Sequence, residues 1–256
     1  FLKIKKIINI TRIGENIFLN LDGIKFQCNY LIGADGANST VRKMTTSLSY
    51  KTPVYAFEGI VDKNEFNKDI NTEFVFNNRG YGWIFPKKNH LNVGIGNLIN
   101  RENDSKPRKK DLFDFVEKRL KTKNITNITG FPIGTEGDNY FSTQNIFLVG
   151  DAAGLSESLL GEGIYNALIS GKYAAKSILQ AEKDSNHDAK YFYNLFLERL
   201  TKELKLYRKG SKLLYNYPKL TYLLMKFGLG KKFMDGYSQG KTLTEIIKKS
   251  KLLPNF

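Results

Sequence analysis

The chain has 256 residues, with 40 Lys or Arg against 25 Asp or Glu and a formal charge of +15. That length holds one large or two ordinary domains with a full core, and the charge favours an anionic ligand or surface. A single cysteine, Cys28, excludes an intrachain disulfide framework and points to a reducing compartment; with only His90 and His187 beside it, no metal site is expected.

Taken in chain order, residues 1 to 34 read as strands over Phe1–Ile10, Asn16–Leu21 and Lys25–Ala34, punctuated by Gly14-Glu15-Asn16 and Asp22-Gly23. Cys28 lies next to a strand and reads as core. Between 54 and 99, VYAFEGIV, TEFVF and YGWIF read as strands and HLNVGIGNLI as their return, with turns at Asn78-Arg79-Gly80 and Lys87 to His90. A polar linker, 101–110, precedes an amphipathic helix over 111–121. Leu112, Phe113, Val116 and Leu120 share one side of it, and Asp111 is its expected cap. Strand character returns over 131–149. A helix is expected from about 164, with Ile164, Leu168, Tyr173 and Ile178 among its apolar positions. From about Asp188 the chain is helical and basic, broken by Pro218, Gly228, Gly230, Gly236 and Gly240.

Three stretches carry candidate chemistry. In LIGADGANSTVRK, 31–43, an apolar strand ends at Gly33, Asp35 and Gly36 make a turn, and Asn38 or Ser39 can cap a short helix bearing Arg42. Asp35 can hold the loop by accepting backbone N–H bonds, and Arg42 offers a fixed charge to a phosphate. A capped helix after a strand accounts for the same residues. In RGYGWIFPKKNHLNVGIG, 79–96, the rings of Tyr81, Trp83 and Phe85 alternate and share one strand face, and Pro86 closes the strand. Such a wall suits a planar molecule or a long hydrocarbon; it equally suits a core stripe. In IFLVGDAAGLSESLLGEGI, 146–164, a buried strand runs into Gly150 and Asp151, where open α/β sheets place ligands. Ala152, Ala153 and Gly154 allow close backbone approach, and Gly161 and Gly163 lead into a helix whose first N–H groups favour an anion. A packing loop is the alternative.

In this order the three stretches resemble the flavoprotein family that includes geranylgeranyl reductases, within the larger group similar to p-hydroxybenzoate hydroxylase. Gly33-Ala34-Asp35-Gly36 matches the group's G-A-D-G, and Gly150-Asp151-Ala152 its late G-D-A. Tyr81, Trp83, Phe85 and Pro86 match the reductases' Y-x-W-x-F-P, and Gly161 to Ile164 their G-E-G-I. The likeness covers residues 25 to about 180. Ser158 stands where the family often has Pro, and the N-terminal G-x-G-x-x-G is absent; Gly161-Glu162-Gly163 follows a loop rather than a strand. Because the chain opens on Phe1 in mid-pattern, the fingerprint is expected upstream. The 256 residues alone are then expected to bind FAD poorly or not at all and to be inactive.

The resemblance implies a mixed α/β fold. Residues 1–50 and 136–185 would be parts of a Rossmann-like FAD-binding domain, 51–135 an inserted antiparallel sheet domain for substrate, and 186–256 a basic helical region. It implies that Asp151 bonds the ribityl chain, that residues 152–154 let FAD pass, and that the helix from Gly163 and Ile164 faces the flavin pyrimidine edge. Asp35, Gly36 and Arg42 would support the pyrophosphate, and Tyr81, Trp83, Phe85 and Pro86 would line the substrate cavity. The implied reaction is FAD-dependent reduction of isolated C=C bonds in a geranylgeranyl chain, with an NAD(P)H or ferredoxin-type electron donor and no identified proton donor. The alternatives are a monooxygenase or halogenase of the same superfamily, or a non-catalytic lipid-binding remnant. The tail from Lys190 carries 15 Lys or Arg and 4 Asp or Glu, and 217–233 mixes apolar residues with lysines. It reads as an anionic-membrane contact or as a solvated cap. No nucleic-acid partner is expected. No apolar run reaches the roughly 18 residues of a membrane span and no signal peptide is visible, so the expected location is cytoplasmic, peripheral to a membrane if the tail binds one.

Overall fold

The computed structural model describes residues 1–48, 54–67, 69–77, 79–97 and 106–249. Asn78, residues 101–105 of the expected linker, the end of the expected 90–99 strand and the last residues of the tail lie outside them. The chain forms two compact units. The first comprises Phe1–Lys51, Gly134–Glu157 and Gly161–Lys205, and the second Thr52–Ile133, Ser158–Leu160 and Leu206–Phe256. The basic region from 186 is therefore divided, its residues through Lys205 joining the first unit.

In the first unit, β1 (Ile7–Ile13), β2 (Asn16–Leu21) and β3 (Ile24–Cys28) form an antiparallel meander. Asp22 and Gly23 both take positive φ between Leu21 and Ile24, the two-residue hairpin turn that Asp-Gly favours. The expected strand from Phe1 starts only at Ile7, because the N–H groups of Lys5 and Lys6 donate to the Asp22 carboxylate (2.7 and 2.9 Å) instead of to a ladder. The expected strand 25–34 is two strands. After β3, the segment β4 (Leu31–Gly33) leaves the meander and pairs in parallel with β10 (Ile146–Leu148). β10 is buried throughout. Its remaining edge is closed by tyrosines: Leu148 N–H donates to the Tyr140 hydroxyl (2.8 Å), and the Tyr193 hydroxyl donates to Leu148 O (2.7 Å). Burial pushes the Tyr193 hydroxyl well above the ordinary tyrosine range. Cys28 packs partly buried against this core, and burial raises its thiol pKa.

Helix α1 (Thr40–Thr45) follows β4, and α3 (Ile164–Ala181) follows β10. The most buried side chains of α3 are small or polar, Asn166, Ser170, Ala174 and Ser177 one turn apart, with Tyr173 and Ile178 packed partly buried against the core beside them. Ile164 and Leu168 are exposed. The buried polar atoms are satisfied: Asn166 donates to Leu155 O, and the Ser170 hydroxyl, itself donating to Asn166 O, accepts from Gly150 N.

In the second unit, five antiparallel strands run in the order β6 (Glu73–Phe76), β7 (Gly80–Pro86), β8 (His90–Asn97), β5 (Val54–Asp62), β9 (Thr126–Ile133). Helix α2 (Lys109–Leu120) covers one face, and its Leu112 and Val116 are buried with Val61, Ile84, Leu91 and Val93. The cap of α2 differs from expectation. Arg108 is the cap residue, and Asp111, three residues on, accepts from the Arg108 N–H at 2.8 Å. The long helix α4 (Ala189–Asn216) begins in the first unit and ends in the second. Pro218 opens α5 (Pro218–Leu224), and the break before α6 (Gly230–Ser238) is at Phe227 and Gly228, where Gly228 takes φ of 97°. Gly230 and Gly236, expected as breakers, lie within α6. A Cβ on Gly236 would come within 2.5 Å of Ile246 on α7 (Leu243–Lys249), so this glycine serves helix packing.

Candidate functional site

In the first unit, two loops leave the carboxyl ends of the parallel neighbours β4 and β10, the position where a sheet of this kind receives ligands. After β4, Gly36 takes φ of 78°. The Asp35 carboxylate then accepts from the Ser39 hydroxyl (2.5 Å) and from the N–H groups of Thr40 (2.6 Å) and Val41 (3.1 Å) at the start of α1. Asp35 thus holds the turn. Arg42, read from sequence as a phosphate partner, is only 5% exposed. Its two terminal nitrogens donate to Ala152 O and Ala37 O, each at 2.6 Å, so it ties the loop after β4 to the loop after β10.

After β10, Gly150 takes φ of 55° and Gly154 of 70° around Asp151, Ala152 and Ala153. Asp151 accepts from the Ser156 hydroxyl (2.5 Å) and from Gly134 N–H (3.1 Å). Residues 134–137 press directly on this loop. A Cβ on Gly134 would fall 2.3 Å from Asp151 O, and one on Gly137 2.0 Å from Ala153 O. Neither glycine, nor Ser156, was singled out from sequence; the G-x-x-G spacing of 134–137 was the available signal. Gly161 takes φ of 79°, and the cap of α3, Gly163, leaves no room for a side chain against Ser156 and Asp151. The first turn of α3 is open, with Ile164 78% exposed. One of its early N–H groups, Tyr165, already donates to the Glu162 carboxylate (3.0 Å). Those of Ile164 and Asn166 have no partner within the helix, as helix geometry requires.

In the second unit, the sheet face opposite α2 is aromatic. Tyr81, Trp83 and Phe85 of β7 stand in a row, with neighbouring ring centroids 5.7 and 6.1 Å apart, and Phe74 of β6 touches Tyr81 and Phe85 at 5.6 and 5.2 Å. Opposite Trp83 on β8 stands Gly94, and opposite Tyr81 stands Gly96. The indole occupies the space over Gly94, where a Cβ would lie 2.0 Å from the ring. Its Nε1 donates to Asn92 (2.7 Å), whose amide donates to Glu58 (3.1 Å). The Tyr81 hydroxyl donates to Leu160 O (2.6 Å), and Pro86 ends β7 opposite Leu91. A cavity of about 450 Å³ lies in this unit, its wall mostly apolar. Phe74 and Phe76, Leu159 and Leu160, Met225 and Phe233 line it. Tyr81, Trp83 and Phe85 are not among its lining residues; they flank Phe74 on the same sheet face. The lining comes mainly from stretches read separately in the sequence, TEFVF, 146–164 and 217–233, which meet only in the folded unit.

Residues 55–134 match the model of the geranylgeranyl reductase catalytic domain. An uncharacterised protein of Methanosarcina barkeri is 33% identical over 233 residues, covering 89% of this chain and 59% of that protein. Digeranylgeranylglycerophospholipid reductase 2 of Methanosphaera stadtmanae is 33% identical over 224 residues, covering 80% of this chain and 56% of its own. The chain thus spans somewhat over half the length of these two relatives. Among solved structures, a geranylgeranyl bacteriochlorophyll reductase-like protein of Thermoplasma acidophilum superposes with a TM-score of 0.60 at 22% identity, over 81% of this chain and 60% of that one, a likeness of fold.

Proposed function

We infer, for a chain whose residues 55–134 match the geranylgeranyl reductase catalytic domain and which is similar to reductases of that family, a part in the FAD-dependent reduction of carbon–carbon double bonds in an isoprenoid chain. The observation that carries the reading is the aromatic face and apolar cavity of the second unit, within and beside the segment 55–134 that matches the catalytic domain. A volume of about 450 Å³ lies in the ordinary range of ligand pockets, roughly 300–1,000 Å³. An isolated alkene has no polar handle, so its reaction depends on placement and on exclusion of water. An apolar wall with few titratable groups supplies both.

The first unit offers a fit for the cofactor. Asp151, its carboxylate held by Ser156 and Gly134, would accept from hydroxyls of the ribityl chain. Gly163, which has no space for a side chain, brings the backbone at the start of α3 close to that carboxylate. The open first turn of α3 favours negative charge through its dipole and unpaired N–H groups. Bound there and reduced by an electron donor, FAD would supply the hydride for one alkene carbon, the other carbon taking a proton. Asp35 and Gly36 would shape the loop beside the pyrophosphate. Arg42 would act at one remove, by fixing Ala152 and Ala37. Gly150, Ala152, Gly154, Gly161 and Ile164 complete the proposed cofactor contacts. In the second unit, Trp83, set by Asn92 and Gly94, with Tyr81, Phe85 and Pro86, would keep the Phe74 wall rigid against a prenyl chain.

The test uses the full natural polypeptide that carries this sequence. Its visible spectrum is recorded with FAD, then after anaerobic reduction, then with a geranylgeranyl lipid dispersed in detergent. Reoxidation by the lipid is expected. Reoxidation by oxygen alone would move the reading to a monooxygenase, and absence of bound flavin would reduce the Asp151 loop to a packing turn.

A further inference from the structure

The helical segment that closes the cavity of the second unit carries a surface with no evident task in the fold. Between 217 and 234, Tyr217, Leu220, Tyr222, Leu223, Leu224, Phe227 and Met234 are exposed, Tyr222 at 70% and Phe227 at 79%. Lys219, Lys226, Lys231 and Lys232 are exposed among them, and the stretch contains no acidic residue. A run of large apolar side chains at the surface marks an interaction site rather than a solvated cap. Gly228, at φ of 97°, breaks the helix between α5 and α6 and sets Phe227 at the turn. Tyr222 and Met234 belong to this surface and also line the cavity of about 450 Å³.

From these observations we propose that α5, the Phe227–Gly228 turn and the start of α6 dock on an anionic bilayer surface, with the cavity opening between Tyr222 and Met234 toward the lipid. The charge decides the partner. Apolar residues interleaved with lysines complement an interface of acidic headgroups above hydrocarbon, where Phe and Leu insert and lysines remain among the phosphates. The cavity gives the surface a purpose, since a prenyl chain leaving a bilayer there need not cross water. This last step rests on the reading of the cavity as a prenyl-chain site.

The test is flotation of the full natural polypeptide with vesicles of phosphatidylglycerol and, separately, of phosphatidylcholine. Two variants accompany it: Leu223→Ser with Phe227→Ser, and Lys226→Glu with Lys231→Glu and Lys232→Glu. All five side chains are exposed, and circular dichroism checks that the fold is kept. Binding to phosphatidylglycerol is expected to exceed that to phosphatidylcholine by about tenfold or more, as several lysines at an anionic surface require. Charge reversal should remove the difference, and the serine pair should weaken both. The emission added by Phe227→Trp should shift to shorter wavelength on vesicles and be quenched by brominated acyl chains. Failure of the parent to float, flotation of the charge-reversed variant like the parent, or unquenched Phe227→Trp emission would each overturn the proposal. A concentration-dependent dimer that Phe227→Ser abolishes, without flotation, would assign the surface to a second copy of the chain. Vesicle binding reads no turnover. A polypeptide whose flavin is reoxidised by detergent-dispersed lipid, yet which ignores vesicles, keeps the proposed activity and loses only this inference.

Discussion

Arg42 shows how a residue singled out by type acquires a structural task that the sequence does not reveal. An arginine beside a glycine turn invites a phosphate; here its guanidinium is buried and donates to carbonyl oxygens of two separate loops. Replacing it with Met keeps the length and strands both acceptors. A buried unpaired polar group costs about 1–3 kcal/mol, so Arg42→Met should lose about 3 kcal/mol in urea unfolding; a loss under about 0.5 kcal/mol would show that water satisfies the loop. Gly94 is the converse case, a residue without side chain that decides where a large one sits. Gly94→Ala puts a methyl group 2.0 Å from the Trp83 ring, and the indole can yield only by giving up its bond to Asn92. Overpacking of this kind costs about 1–3 kcal/mol. The variant should melt lower, and the emission of Trp83, the chain's single tryptophan, should move to longer wavelength. An unchanged spectrum would mean that the glycine is not what seats the ring.

At the scale of elements, α2 shows the limits of reading a cap from residue type. Asp111 was legible as a helix-start residue, but its position is the third of the helix, where it reaches back to Arg108. Its hydrogen bond and charge pairing with Arg108 hold the Asp111 carboxyl below its ordinary pKa. A lowered pKa in the folded state contributes stability that is present above the ordinary value and lost as pH falls through the folded value. Asp111→Ala should therefore cost about 0.5–1 kcal/mol at neutral pH, toward the lower figure because the pair is partly exposed to solvent. Parent and variant stabilities should converge in acid; a gap that persists below the folded pKa would place the effect in packing. Helix α3 was legible in extent but not in orientation. Of its apolar positions, Tyr173 and Ile178 pack partly buried against the core, but Ile164 and Leu168 are exposed, and the most buried side chains are Asn166, Ser170, Ala174 and Ser177. Small side chains let the helix approach β10 and the Asp151 loop closely, and periodicity of hydrophobicity does not register that requirement.

Across the whole molecule, 40 basic and 25 acidic residues make self-repulsion a standing cost of compactness. Screening should relieve it. The melting temperature is expected to rise between about 10 mM and about 200 mM sodium chloride, as the Debye length falls below about 10 Å; a flat or falling profile would show that specific ion pairs outweigh net repulsion. The sequence alone determined the positions of most strands and helices, because alternation, apolar runs and Gly-Asp turns are local signals. It also determined the three stretches that carry the family likeness, because such motifs are contiguous. Tertiary structure alone decided that Arg42 clasps two loops, that Gly134 and Gly137 floor the Asp151 loop, and that Phe74, Leu160, Met225 and Phe233 enclose one cavity. These residues lie far apart in the chain. Their roles depend on close approach and desolvation, which exist only once burial has brought the distant segments together.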